Sequence, residues 1–407
     1  MRFFYDLSIK LYYLLIRIAS CSNTKAQNWI NGRKEVWSTL EKKNDPASSY
    51  FWFHCASLGE FEQGRPLIER IKKQNPAQKI VITFFSPSGY EVRKNYEYAD
   101  IVVYLPLDTP RNAKRFLSSI NISKAFFIKY EFWYHFLSEL NRNKIDTYLV
   151  SGIFRPSQIF FKSYGKWYAR ILKSFRHLYV QNDISEKLLN QIGINNVSVV
   201  GDTRFDRVHD IAELAAEIEA IATFKQDKKL IVCGSTWGED ERILIDFINQ
   251  TQDVQWIIAP HEVKENHILA LEEKLQKRTI RFSNLKNSKP TDFEVIIADG
   301  YGYLTSLYRY GDIAYVGGGF GKGIHNILEA ATYGVPILFG PKHSKFKEAK
   351  DLKSQKGAFA IHNKESLSNQ LELLLNDGNA LKEASQICKD YISQNTGASE
   401  VIIGEIL

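Results

Sequence analysis

A chain of 407 residues with 44% apolar and 24% charged side chains has room for two or three domains, and its balance excludes a mostly disordered, collagen-like or polytopic membrane protein. The formal charge of +7 is unevenly placed: residues 1–205 hold 30 Lys/Arg against 17 Asp/Glu, net +13, and residues 206–407 hold 23 against 29, net −6. Such a split points to one half that meets an anionic partner, whether a phospholipid surface, a phosphorylated substrate or nucleic acid.

The first twenty residues, MRFFYDLSIKLYYLLIRIAS, are largely apolar, but their longest unbroken apolar run, 11–16, is short for a bilayer span. Wound as a helix, they place Phe4, Leu7, Leu11, Leu14, Leu15 and Ile18 on one side, with Asp6, Lys10 and Arg17 near the other. That pattern predicts an interfacial anchor, the alternative being a helix packed on the protein's own core. No small-residue cleavage site follows, which argues against a secretory signal. The four cysteines, Cys21, Cys55, Cys233 and Cys388, are widely spaced without a C-x-x-C pair, so a reducing compartment is the simpler reading.

From residue 51 onward, short β-branched or aromatic runs alternate with helical patterns. Strands are predicted at 51–57, 79–85, 101–107, 124–130, 146–152, 177–182 and 197–201. After a charged helical stretch at 207–222 a second set follows at 229–235, 254–260, 293–299, 313–319, 335–341 and 357–362. The connections are long enough for crossover helices, so the spacing predicts two α/β domains with doubly wound parallel sheets, joined near residue 205. In such sheets ligands sit beyond the carboxyl ends of the strands, and the loops there carry the candidate chemistry.

The loop after the first strand, HCASLGEFEQGRPL, offers His54, Ser57, Gly59 and Glu60 where strand gives way to helix. Glu60 reads either as a general base at the sheet edge or as a helix-capping carboxylate. After the fourth strand, KYEFWYHF brings Lys129, Glu131 and Trp133 to the same edge, Glu131 being a second cleft carboxylate or a helix-start Glu; after the fifth, Arg155 suits an anion or the open surface. In the second half, Ser235 and Thr236 follow Gly234 at a predicted helix start and suit a phosphate, yet neither G-x-G-x-x-G nor G-K-[ST] is present, which disfavours an NAD enzyme or a P-loop NTPase. The strongest local feature is YVGGGFGKGIHNILEA. Gly317, Gly318, Gly319, Gly321 and Gly323 lead towards a helix predicted to begin at His325 or Asn326, with Glu329 one turn in for a ribose diol. No Asp-x-Asp metal pair occupies a plausible place, so neither a metal nor a cofactor is expected.

In this order, H-x-A-S-x-G-E (54–60), T-x-x-S-P-S-G (83–89), Y-E-F-W (130–133), S-G-x-x-R (151–155), G-S-T-W-G-E-D-E (234–241) and G-K-G-I-H-N-I-L-E-A (321–330) resemble the 3-deoxy-D-manno-octulosonic acid (Kdo) transferases of lipopolysaccharide synthesis. The resemblance runs over most of the chain. It implies a GT-B architecture of two Rossmann-like domains facing across a cleft, and an inverting transfer of Kdo from CMP-Kdo to lipid IVA, the lipid A precursor. It also implies Glu60 as general base, Glu131 as second carboxylate, and Ser235, Thr236, the 317–323 loop, Asn326 and Glu329 on the CMP side. Where the family usually has Pro-Arg-His, this chain keeps Pro260 and His261 without the Arg, so Lys322 or Arg204 is expected to supply donor-phosphate charge. The implied organisation is a membrane-associating segment 1–45, an acceptor domain 46–205, a donor domain 206–380, and C-terminal helices 381–407 packing back towards the first domain. The implied setting is the cytoplasmic face of the inner membrane, with an anionic surface as partner and no nucleic acid. Alternatives are another GT-B enzyme using a UDP-sugar, or a non-catalytic membrane-surface binder.

Overall fold

The computed structural model describes residues 2–407 and contains two compact units. The first runs from the amino terminus to Arg207 and includes Thr396–Leu407; the second is Val208–Asn395.

In the first unit, strands β1 (Tyr50–Cys55), β2 (Lys79–Phe84), β3 (Ile101–Tyr104), β4 (Ile122–Ile128), β5 (Asp146–Gly152), β6 (His177–Val180) and β7 (Val197–Val199) form one parallel sheet in the order β3-β2-β1-β4-β5-β6-β7. All six residues of β1 are buried. Alternation along the strand sends Tyr50 and Trp52 to one core and Phe51, Phe53 and Cys55 to the other, as expected of a sheet covered on both faces.

The second unit has β8 (Lys229–Thr236), β9 (Val254–Pro260), β10 (Thr279–Arg281), β11 (Val295–Ile297), β12 (Ile313–Val316), β13 (Ile337–Phe339) and β14 (Ala358–Ala360), all parallel, in the order β10-β11-β9-β8-β12-β13-β14. Edge strand β10 is the one strand the sequence pattern does not predict: three residues from a Lys/Arg-rich stretch show no usable alternation. Chain order reverses beside β1 in one sheet and beside β8 in the other. The openings between β1 and β4 and between β8 and β12 are the switch points where ligands of such sheets collect.

Helix Ala398–Ile406 buries Ile402, Ile403 and Ile406 against the core containing Phe51, Phe53 and Ile80. Asp206 caps its start, accepting from the backbone N–H of Gly397 (2.6 Å) and Ser399 (2.7 Å). The preceding helix, Gly378–Asn395, belongs to the second unit, so the stretch 381–407 divides between the units instead of staying together.

The amino-terminal segment divides as well. Helices Thr24–Lys34 and Val36–Lys43 bury Trp29, Val36 and Leu40 and are part of the first unit's body. Helix Arg2–Ala19 has no buried residue, and Phe3, Phe4, Leu7, Leu11, Leu14, Leu15 and Ile18 are all exposed. It docks by its other side: Asp6 meets His135 (2.6 Å), the Tyr5 hydroxyl donates to Asp108, and Tyr12 packs on Trp29 and Phe85. The helix is thus turned inside out relative to a core helix, with its apolar face outward. Among the described residues no helix is long and apolar enough to cross a membrane.

Candidate functional site

At the first switch point, the backbone N–H (2.9 Å) and hydroxyl (3.2 Å) of Ser57 both donate to Glu60 Oε2 at the start of helix Leu58–Gln74. The helix cap therefore holds the carboxylate at the sheet's edge, so that the capping and catalytic readings of Glu60 describe one side chain. Burial, followed by the charge of Glu131, pushes the Glu60 carboxyl above its ordinary range; the Ser57 hydrogen bond, His54 and Lys129 pull less strongly the other way.

Glu131 is buried and fixed by a network that two tryptophans feed, since an indole can only donate. Trp52 Nε1–H donates to the Thr83 hydroxyl (2.8 Å), which is hydrogen-bonded to His54 Nδ1 (2.8 Å). His54 Nε2 lies 3.0 Å from Glu131 Oε2, and Trp133 Nε1–H reaches both Glu131 Oε2 (2.7 Å) and His54 Nε2 (3.0 Å). His54, expected among the substrate-binding residues, is wholly buried on strand β1, with its Nε2 against Glu131. Thr83 and Trp52 were not singled out by the sequence reading; a Trp and a Thr at facing positions of adjacent strands look like ordinary core.

Around this edge, Gly59 is exposed. Tyr130 carries two cations, Arg155 bonding its hydroxyl (3.1 Å) and Lys129 lying 5.3 Å above its ring. Lys129 and Ser151, at the ends of β4 and β5, have positive φ (69° and 51°), a conformation costly for residues with a Cβ and concentrated at functional sites. Arg204, expected to lend charge to a donor phosphate, directs its guanidinium to Asp202 (2.9 Å), whose carboxyl it lowers. Asp202 in turn accepts from Gln63 (2.9 Å), and Thr203 bonds Ser151 (2.9 Å), so residues 202–204 are tied into the first unit.

At the second switch point, β8 ends in Ser235, also at positive φ (53°), and in Thr236. Thr236, expected to bind donor, is fully buried; its hydroxyl donates to Glu241 (2.9 Å), which also meets His267 (2.8 Å). Helix Gly238–Gln250 begins with Glu239, Asp240 and Glu241, and buried Asp240 takes the Trp237 N–H (2.9 Å). The predicted phosphate site at this helix start is therefore occupied by the protein's own carboxylate.

Asp240 does more than cap. Its oxygens also accept from the Gly318 N–H (2.8 Å) and the Tyr315 hydroxyl (2.8 Å), pinning the glycine loop to β8 and β12, and burial pushes its carboxyl up. Within that loop, Gly318 at φ 89° turns the chain so that the N–H groups of Gly321 and Gly323 reach its carbonyl (3.0 and 3.1 Å). Lys342 donates to the carbonyls of Phe320 (3.2 Å) and Gly321 (2.7 Å), while Lys322 is exposed. Gly319 and Gly323 complete the turn before His325 returns to Gly317 (3.1 Å).

The helix expected from His325 or Asn326 is a single turn, Leu328–Ala331, so a helix dipole cannot carry donor-phosphate binding here. Asn326 caps the turn through Leu328 N–H (3.2 Å). Glu329 accepts from Asn326 (3.0 Å) and from Thr305 (2.7 Å). Beside the loop, Pro260 is buried at the end of β9 and exposed His261 stacks over both Trp237 (4.6 Å) and His325 (4.3 Å). Burial and neighbouring His261 lower His325 to about 4, and Trp237 Nε1–H donates to its Nε2 (2.9 Å). Sequence reading missed this three-ring stack because its members come from three separate loops. Among the described residues no group of three or more His, Cys, Asp or Glu could hold a metal ion.

The fold and these sites have counterparts among known proteins. Residues 30–207 match the family model for 3-deoxy-D-manno-octulosonic-acid transferase (kdotransferase). The 3-deoxy-D-manno-octulosonic acid transferase of Rickettsia bellii is 27% identical over 412 residues, spanning 97% of this chain and 96% of that protein. The enzyme of the same name from Haemophilus influenzae is 26% identical over 420 residues, spanning 99% and 97%. Among solved structures, UDP-GlcNAc 2-epimerase from Neisseria meningitidis superposes with a TM-score of 0.59 at 15% identity, covering 88% of this chain and 98% of that one, a likeness of GT-B fold alone. Sequence likeness along nearly the whole chain, on two parallel-sheet units of GT-B type, makes this chain similar to the Kdo transferases.

Proposed function

We propose that the enzyme transfers Kdo from CMP-Kdo to lipid IVA with inversion, Glu60 being the general base. The observation that carries this reading is the Glu60 carboxylate, held at the switch point by Ser57 through one oxygen and raised in pKa by burial and Glu131. The base takes the proton of an acceptor hydroxyl as that oxygen attacks the anomeric carbon of Kdo. The bond from that carbon to the CMP phosphate breaks on the opposite side, and CMP departs with the bonding pair. Attack and departure on opposite faces invert the centre in one step. A carboxyl pushed above its usual range is a stronger base than an exposed one.

Glu131 supports this role by its nearby negative charge, held in place by His54 and Trp133. Residues 46–205 act as the acceptor half and 206–380 as the donor half. In the donor half, Ser235, the loop 317–323, Lys322, Asn326 and Glu329 face CMP, with the Trp237–His261–His325 stack beside them. Glu329 would exchange Thr305 or Asn326 for a ribose hydroxyl. The first unit carries 31 Lys/Arg against 20 Asp/Glu, which suits phosphates of the acceptor and an anionic leaflet. Together with the outward apolar face of helix Arg2–Ala19, this supports peripheral or monotopic attachment to the cytoplasmic face of the inner membrane.

Incubation with CMP-Kdo and lipid IVA, followed by mass analysis of the lipid, tests donor, acceptor and unit number together. CMP release and a Kdo-bearing lipid are expected, with kcat reduced on the order of 100- to 10,000-fold in Glu60→Gln. Transfer from a UDP-sugar instead, or undiminished turnover in the variant, would refute the donor or the base respectively.

A further inference from the structure

Between helix Arg2–Ala19 and the turn-rich segment 159–168 lies an open cavity of about 300 Å³. Phe4, Tyr5 and Ser8 form one wall, and Ile159, Tyr164 and Trp167 face them. Tyr164 is 63% exposed, unusual for an aromatic ring with no charge to solvate, and Ile159 is exposed as well. The cavity is continuous with the outward apolar face of the amino-terminal helix through Phe4.

Two observations narrow what it holds. Residues 153–176 contain six cations, Arg155, Lys162, Lys166, Arg170, Lys173 and Arg176, and no Asp or Glu. An apolar hollow inside an all-cationic stretch matches a molecule with an aliphatic part and an anionic part. The floor residue Tyr168 donates its hydroxyl to the carbonyl of Phe132, which directly follows Glu131, and Glu131 helps to raise the Tyr168 pKa. At the other end of the segment, Arg155 bonds Tyr130, which directly precedes Glu131. The floor of the hollow and Arg155 are thus tethered on either side of the second carboxylate.

We propose that this cavity receives an acyl chain of the acceptor lipid while its sugar hydroxyl lies at Glu60. The site rests on the lipid-acceptor reading above and deepens it: the protein recognises the aliphatic part of its acceptor directly, and the surrounding bilayer is not the sole reader of it. Every methylene moved from water into such a site strengthens binding by about fourfold at most, so one chain suffices to dominate acceptor affinity.

The test compares Kdo transfer from CMP-Kdo to tetra-acylated lipid IVA and to its O-deacylated form, both in detergent micelles, for the wild-type chain and for Ser8→Trp. Ser8 is exposed on the helix, and a Trp there fills the hollow without disturbing the core. A second variant, Tyr164→Ser, removes one wall at a surface position. For wild type, a KM about tenfold or more lower for the acylated acceptor is expected, and in both variants the ratio of the two KM values falls towards one. A ratio near one in the wild type, or one unchanged in the variants, overturns the proposal while leaving Kdo transfer intact. If Ser8→Trp weakens binding to acceptor-free phosphatidylglycerol vesicles as much as it raises KM, the hollow holds bulk phospholipid and the assignment to the acceptor falls. Absence of Kdo transfer to either acceptor by the wild type defeats the underlying functional reading itself.

Discussion

Glu60 is under opposing influences that can be separated experimentally. Burial and the neighbouring Glu131 charge raise its pKa, and Ser57 opposes them. With Glu60 as the proposed base, which works only when ionised, activity is lost as pH falls through the raised pKa, and the acid limb of the kcat profile should lie above the ordinary carboxylate range of about 4. In Glu131→Gln the nearby negative charge disappears, and that limb should move down in pH, whatever happens to the maximum rate. A limb that stays where it was would mean that Glu131 does not tune the base. Much of this site was legible from sequence, because Glu60, Ser57 and Glu131 lie within motifs at strand ends. The burial of His54 was not legible, since alternation in β1 does not say which residues of a doubly covered strand carry polar partners. Nor did any local pattern connect Trp52 and Thr83, which meet only through strand pairing.

At the scale of elements, the glycine loop shows where sequence reasoning succeeded and where it overreached. Five glycines beside a strand signalled close approach, and Gly317 is where the need is clearest: a Cβ there would fall 2.3 Å from the Ser235 carbonyl oxygen and 2.7 Å from Thr236 Cα. Backbone cannot yield as a flexible side chain can, so Gly317→Ala should destabilise the second unit by about 1–3 kcal/mol and push the loop off β8. Thermal melts with and without CMP check this, the expected result being a lower Tm and a diminished nucleotide-dependent rise. The same loop also suggested a helix beginning at His325 or Asn326 with its positive end towards a phosphate. In the structure the chain stays irregular through Ile327 and makes one turn, because Gly323, at φ 143°, and the His325 bond to Gly317 use residues a longer helix would need. The positive-φ residues Lys129, Ser151 and Ser235, each at the end of a strand, were beyond sequence reading: none is the glycine or asparagine that such a conformation favours.

For the whole molecule, the two-sheet architecture followed from alternation and crossover lengths, whereas the division of the carboxyl terminus did not. Helices Gly378–Asn395 and Ala398–Ile406 are both amphipathic, and nothing in their composition says that they belong to different units. The capping carboxylate Asp206 and three isoleucines do that. Ile402 is fully buried, so Ile402→Ala should cost about 2–5 kcal/mol although it lies only five residues before Leu407. By contrast, Leu373→Ala, at an exposed helix position of the second unit, should change stability by less than about 0.5 kcal/mol. Denaturant melts of both variants decide the matter; equal midpoints would show that the terminal helix contributes little to the first unit.

The return of Thr396–Leu407 to the first unit also sets an order of events at the ribosome. All seven strands of that unit emerge early, but the segment that closes one of its cores is made only after the 188 residues of Val208–Asn395. At ordinary translation speeds that interval is roughly 10 to 40 s, long against the collapse of a small domain. Throughout it, the apolar ground later covered by Ile402, Ile403 and Ile406 lies open while the outward face of the amino-terminal helix is already available. A nascent chain of this design therefore presents the apolar face of its amino-terminal helix before its first unit is closed.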